Sequence, residues 1–292
     1  MAYLADIDFF VKKVYNIWLL EIRPAHRSLT THPSFSTHNR PCRRREHMLK
    51  QQLNLTVAIV RSFNFAGIGE FVQKLLDFGI GHVVVVVPKD QDYGVTAPLL
   101  RPFNPSRVHL VEQSFKHGGR AWSAMLNAGL DYIENNFGDD FIDYVLTVSN
   151  TVLLERRHLE FLYEEMDWPN VMVTGARFRG VGKDGEEVSL GKSYNYHFRN
   201  TLALYRAEAF RLHSVLRRFD EILDGASGME DLLWKRLLQG YTNHRVVEDV
   251  MEVPLLVYTH RTPAQQAEYE ALLEEGMKAA EFRAEHLLFL DR

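Results

Sequence analysis

Five consecutive valines at positions 83–87 restrict what this chain can fold into more than any other feature of its 292 residues. A strand with one face in water alternates apolar and polar residues, because successive side chains point to opposite sides. An unbroken β-branched run has no polar side to offer. It has to be covered on both faces, which is the condition of a strand inside a parallel sheet with helices above and below.

The rest of the chain supplies the neighbours such a strand needs. Residues 55–60, 108–111, 144–148 and 171–174 are short, mainly apolar runs of strand type. Residues 68–78 carry Phe71, Val72, Leu75 and Leu76 at helical spacing. A helix opening at Gly119 places Trp122, Leu126, Leu130 and Ile133 on one side, and a terminal helix rich in Ala, Glu and Leu runs on from Pro263. Strands alternating with helices predict an α/β fold, a single Rossmann-like domain whose mainly parallel central sheet is flanked by helices.

Composition sets the expected boundaries. Residues 1–50 read as a basic N-terminal extension, partly disordered; within it, residues 1–22 could form a partly amphipathic helix. Residues 23–47 collect Arg23, Arg27, Arg40 and Arg43-Arg44-Arg45 with Pro24, Pro33 and Pro41, a mixture that buries little surface. Residues 51–262 form the main domain and 263–292 the C-terminal helix. No repeat or internal linker interrupts the chain after residue 50.

A formal net charge of -4 provides no basic field for nucleic acid, so no nucleic-acid partner is expected. Cys42 is the only cysteine, which excludes a disulfide framework or a thiolate zinc site within one chain. It is compatible with a reducing compartment, and a cytoplasmic location is expected. No apolar run reaches the ~18 residues of a membrane span. The best candidate, residues 9–20, is broken by Lys12, Lys13 and Asn16.

In a parallel α/β sheet, ligands bind beyond the carboxyl ends of the strands. Four such ends carry polar residues: Arg61-Ser62-Phe63-Asn64, then Lys89-Asp90-Gln91-Asp92 after Pro88, then the segment from Gln113 through Lys116 and His117 to Gly118-Gly119-Arg120, and Ser149-Asn150-Thr151. Each alone is ordinary loop chemistry; their convergence on one rim points to a binding site. Glu230 and Asp231 stand in the first turn of a further helix, where the helix dipole favours carboxylates. They are either capping groups or a general base for an attacking hydroxyl.

From Leu53 to His260 the order of these pieces resembles a family 2-type glycosyltransferase of the GT-A fold, in the nucleotide-diphospho-sugar transferase superfamily. Ser62-Phe63-Asn64 stands where that family has Thr-Tyr-Asn. The valine strand with acids beyond it follows, then the helix with Asn127-Ala128-Gly129, the strand through Asp143 and Leu146, and Phe219-Asp220-Glu221 leading to Glu230-Asp231. The resemblance implies a nucleotide-sugar donor and transfer to an acceptor hydroxyl on a glycan, lipid or protein, usually with inversion. It implies Ser62, Asn64 and either Asp90 or Asp92 at the nucleoside, and Gly118, Gly119 and Arg120 near the donor, where a helix N-terminus suits phosphate. Asp231 would be the base, with Glu230 beside it.

The chain departs from the family where Asp-x-Asp would hold a divalent cation, for Ser149, Asn150 and Thr151 stand there. Neutral hydroxyls are poor metal ligands. No cofactor is expected, although these oxygens could hold a weakly bound Mn or Mg ion. Diphosphate charge would instead be met by cations drawn from Arg61, Lys116, Arg120, Arg177, Arg179, Lys183, Lys192, His197 and Arg199, guanidinium groups being suited to phosphate. The alternative is a catalytically inactive GT-A-like binding or scaffolding protein. A dinucleotide fold is disfavoured, because the Gly67-Ile68-Gly69 motif would place its third glycine at Val72. A metal hydrolase is disfavoured because the histidines show no H-E-x-x-H spacing.

Overall fold

The structure, a computed structural model, describes residues 42–62, 65–116, 121–138, 142–190, 199–224, 229–257 and 262–290. The expected N-terminal helix over residues 1–22 lies outside them. Helix α1 (Cys42–Asn54) leads into β1 (Thr56–Arg61), α2 (Ile68–Phe78), β2 (His82–Pro88), α3 (Lys89–Leu100), β3 (Val108–Gln113), α4 (Trp122–Asn136), β4 (Tyr144–Ser149) and α5 (Arg156–Met166). After these come β5 (Val171–Gly175), β6 (Arg177–Val181), β7 (Glu187–Val188), β8 (Leu202–Arg206), α6 (Glu230–Tyr241), β9 (Arg245–Val247), β10 (Glu252–Leu256) and α7 (Pro263–Leu290).

The main sheet has seven strands in the order β3-β2-β1-β4-β8-β5-β9. β8 runs against both of its neighbours, and the other strands share one direction. A second, three-stranded sheet has the order β10-β6-β7. The α/β class with a mainly parallel, helix-flanked sheet therefore holds.

The valine run explains itself in this setting. Val84 and Val86 enter one core with Ile59 of β1, Met125 and Leu126 of α4, and Trp234 of α6. Val83, Val85 and Val87 enter the other, with Phe71 and Leu75 of α2 and Leu159 and Leu162 of α5. β1 and β4 are buried along their whole length for the same reason. α2 buries Ile68, Phe71, Val72 and Leu75, and it stops at Gly79, whose φ of 101° is the left-handed conformation that glycine adopts without strain.

Two local expectations change. The arginine-rich stretch was expected to stay irregular, yet α1 is helical from Cys42; it seats Leu53 in the core and pairs Arg45 with Glu164 of α5. Residues 89–94 were expected to be a loop and instead begin α3, which continues through Pro98. The Gly67-Ile68-Gly69 motif serves packing, since a Cβ on Gly69 would lie 3.3 Å from the Leu99 carbonyl oxygen.

Gly129 has a similar role within α4. A Cβ there would sit 2.6 Å from Ile59 Cγ2, in the core between α4 and β1. Gly129→Ala is therefore expected to lower stability by about 1–3 kcal/mol through overpacking. This should hold despite the roughly 1 kcal/mol that Ala gains over Gly in a helix. Urea unfolding of this variant beside Gly138→Ala checks it, because a Cβ at Gly138 meets nothing within 4 Å. Equal midpoints for the two variants would refute the packing account.

Candidate functional site

The site is built where β1 and β4 end. Arg61 and Ser149 are register partners at the last rung of that ladder. One residue further, the Asn150 amide donates to Ser62 Oγ at 3.2 Å, and the Asn150 N–H donates to the Arg61 carbonyl at 3.4 Å. Ser149 and Thr151 share a hydroxyl hydrogen bond of 2.7 Å, and the Thr151 N–H also donates to Ser149 Oγ at 3.3 Å. The Ser-Asn-Thr segment is thus a turn that satisfies its own hydroxyls, with no carboxylate in it.

Opposite this turn, the start of α6 brings Glu230 and Asp231 into the interior, 2% and 1% exposed. Each has an arginine. Arg61 Nη1 lies 3.7 Å from Glu230 Oε1, and the Arg61 guanidinium lies over the Trp122 ring, 4.9 Å from its centroid. Arg199 Nη1 lies 3.7 Å from Asp231 Oδ1. The Leu232 N–H donates to Asp231 Oδ1 at 2.8 Å and the Asn200 N–H to Oδ2 at 3.3 Å. Tyr205 donates from its hydroxyl to the Asn200 side-chain oxygen. Asp231 therefore ties the backbone at residue 200 to the first turn of α6.

The two carboxyls differ in what remains open to them. Both Asp231 oxygens are engaged, whereas Glu230 Oε2 is buried and makes no hydrogen bond among the described residues. Arg61 Nε and Nη1 and Asn200 Nδ2 are in the same condition. Burial, reinforced by the charge of Asp231 and opposed by Arg61, pushes the Glu230 carboxyl up to about 8. Burial also raises Asp231, against Arg199 and its two backbone donors. Burial raises the Tyr205 phenol too, helped by both acids. The cluster thus sets the Arg61 and Arg199 guanidinium groups against Asp231 and against a Glu230 carboxyl that is largely protonated at neutral pH.

A second carboxylate stands at the start of α4. Asp224 accepts from the Ser123 N–H at 2.7 Å and the Ala124 N–H at 3.0 Å. Burial pushes its carboxyl up, and those two donors pull it back. The first amides of α4 are therefore already occupied by a carboxyl group supplied by the chain. Asn127 of the same helix is also structural: it bonds the Phe219 carbonyl and Glu221 Oε1, each at 2.9 Å, and accepts from the Phe219 N–H at 2.8 Å.

Of the residues expected at the site, Ser62, Ser149, Asn150, Thr151, Glu230 and Asp231 come together, with Arg61 and Arg199. Asp90 and Asp92 lie in the first turns of α3. Asn64, Gly118, Gly119 and Arg120 lie outside the described residues, as do Lys192 and His197. Arg177 and Arg179 are drawn to Glu252 of the second sheet, at 3.1 and 3.4 Å. Sequence reasoning missed Asp224, Asn200, Tyr205 and the stacking role of Trp122. An arginine closing a strand as apolar as β1 was the one local signal of a buried charge.

No family model matches the chain, and no curated protein matches it. Among solved structures, GalNAc-T7 with UDP, GalNAc and Mn2+ is 10% identical with a TM-score of 0.48; the match covers 75% of this chain and 48% of that one. Glucosyl-3-phosphoglycerate synthase from Mycobacterium tuberculosis, in complex with phosphoglyceric acid, is 10% identical with a TM-score of 0.39, covering 79% and 83%. The chain thus spans about half the length of the first of these.

The raised Glu230 carboxyl has a consequence for stability. Between its ordinary value of 4.5 and about 8, the folded chain holds a proton there that the unfolded chain has released. Stability must then fall as pH rises through that window, by up to about 1.4 kcal/mol per pH unit. Glu230→Gln removes this penalty, so the stability of the variant relative to the parent should climb from about pH 5 to pH 8. Urea unfolding at several pH values measures the difference. A gap that stays constant with pH would show that Glu230 ionises as an ordinary carboxyl.

Proposed function

We propose that the chain binds a nucleotide-diphospho-sugar beyond the ends of β1 and β4 and transfers its sugar to an acceptor hydroxyl, as a GT-A-like, family 2-type hexosyltransferase. The observation that carries this reading is the convergence of Arg61, Ser62, Ser149, Asn150 and Arg199 with Glu230 and Asp231 at the carboxyl edge of the sheet, where α/β proteins take their ligands. The two guanidinium groups of that cluster suit an anionic leaving group. Arg61 and Arg199 would supply it in place of a cation held by Asp-x-Asp, so donor binding would not depend on a divalent metal. Asp231 is the assigned base for an inverting transfer, and the protonated Glu230 beside it is a hydrogen-bond donor to an oxyanion. A hydroxyl is the only chemistry the base requires of the acceptor.

A second reading is binding without transfer. It is favoured by one observation: Asp231 is buried with both oxygens already accepting backbone hydrogen bonds.

Calorimetry with UDP- and GDP-sugars, followed by an assay for released nucleoside diphosphate, separates the two. A donor is expected to bind with an affinity that EDTA leaves nearly unchanged; loss of binding in EDTA would refute the metal-free account. Asp231→Asn is expected to lower turnover per folded molecule by roughly 10²-fold with donor affinity nearly intact. It should also cost about 1–3 kcal/mol of stability, because an amide cannot accept from both backbone donors. Unchanged turnover per folded molecule would make Asp231 a structural tie only. Binding with no turnover of any donor would establish the second reading.

A further inference from the structure

Helix α7 packs against α6 and the body through Leu273, Ala280 and Ala284, all buried. Another side of the same helix carries Leu272, Phe282, Phe289 and Leu290, which are 47, 53, 77 and 64% exposed. Leu272, Ala279, Phe282 and Phe289, with Glu275 and His286 between them, follow the alternating spacing of a coiled-coil seam. Ile222, 64% exposed, adds to this surface from the turn at residues 221–223, which packs beside α7. The same loop is fixed to the helix by Arg283, 2.8 Å from Asp220.

We propose that this stripe is the seam of a homodimer, in which α7 lies antiparallel to α7 of a second copy. The two-fold axis passes between Ala280 and Glu281. In that register Leu272 meets Phe289, and the small Ala279 meets the large Phe282. The only polar members of the stripe, Glu275 and His286, face each other. Along the solvent-side border, Lys278 comes opposite Glu285 of the second copy, and the symmetry makes that pair twice. A parallel pairing fails on the same residues, since it sets Glu275 against Glu275 and leaves Ala279 against Ala279. A lipid surface fits poorly, because Glu274, Glu275, Glu281 and Glu285 lie along the exposed sides of the helix.

Sedimentation velocity of the full chain over a tenfold range of concentration tests the proposal. The parent is expected to dimerise, and Phe282→Glu to sediment as a monomer with its circular dichroism unchanged. Lys278→Glu and Glu285→Lys should each weaken self-association several-fold, and the double variant should restore it. In a Cys42→Ser background, Glu275→Cys with His286→Cys should give a disulfide-linked dimer on mild oxidation that neither single variant gives. A monomeric parent, including one that instead sediments with lipid vesicles, overturns the proposal. So does a dimer indifferent to Phe282→Glu, or a crosslink formed by Glu275→Cys alone.

Discussion

The fold rests on strands that are dry on both sides. β1 and β4, and β2 from Val83 onward, are buried at every residue, so helices must cover them above and below. Alternate valines of β2 then serve two different cores. Polar chemistry is pushed to the only places left, the strand ends. The carboxyl edge of β1 and β4 carries a charged cluster because the strands themselves could not.

That cluster is costly to keep. Moving two carboxyls and two guanidinium groups out of water is repaid only in part by their mutual attraction, and separations of 3.7 Å are ion contacts rather than tight hydrogen bonds. The molecule lowers the cost in two ways. It gives Asp231 two backbone donors, and it leaves Glu230 largely uncharged. Two adjacent acids on one helix turn thus come to differ in kind, one tied by two backbone donors and the other with an oxygen left open.

What was legible in the sequence followed from local pattern. The main strands, α2 and the terminal helix could be read because their periodicity and their burial agree. α3 was hidden by Pro88, Asp90, Asp92, Gly94 and Pro98, residues of turns that tertiary packing overrides. Of the second sheet, β6 and β7 escaped because they are short and partly exposed. At the site, Glu230 and Asp231 were visible as a helix start, but their burial was not, because the arginines that neutralise them come from positions 61 and 199. Asp224 had no local signature at all: its partners lie about a hundred residues earlier, on α4.

The short segment that ends in Asp224 joins parts of the chain that are far apart in sequence. Phe219 is held by Asn127, Asp220 by Arg283, and Asp224 by the first amides of α4. Neither α4 nor α7 can come away from the body without breaking this joint. The two helices therefore belong to one cooperative unit of local unfolding. The amide hydrogens of Ser123, Ala124 and Phe219 should exchange with solvent in a single opening event, and the last helix of the chain should unfold together with its middle.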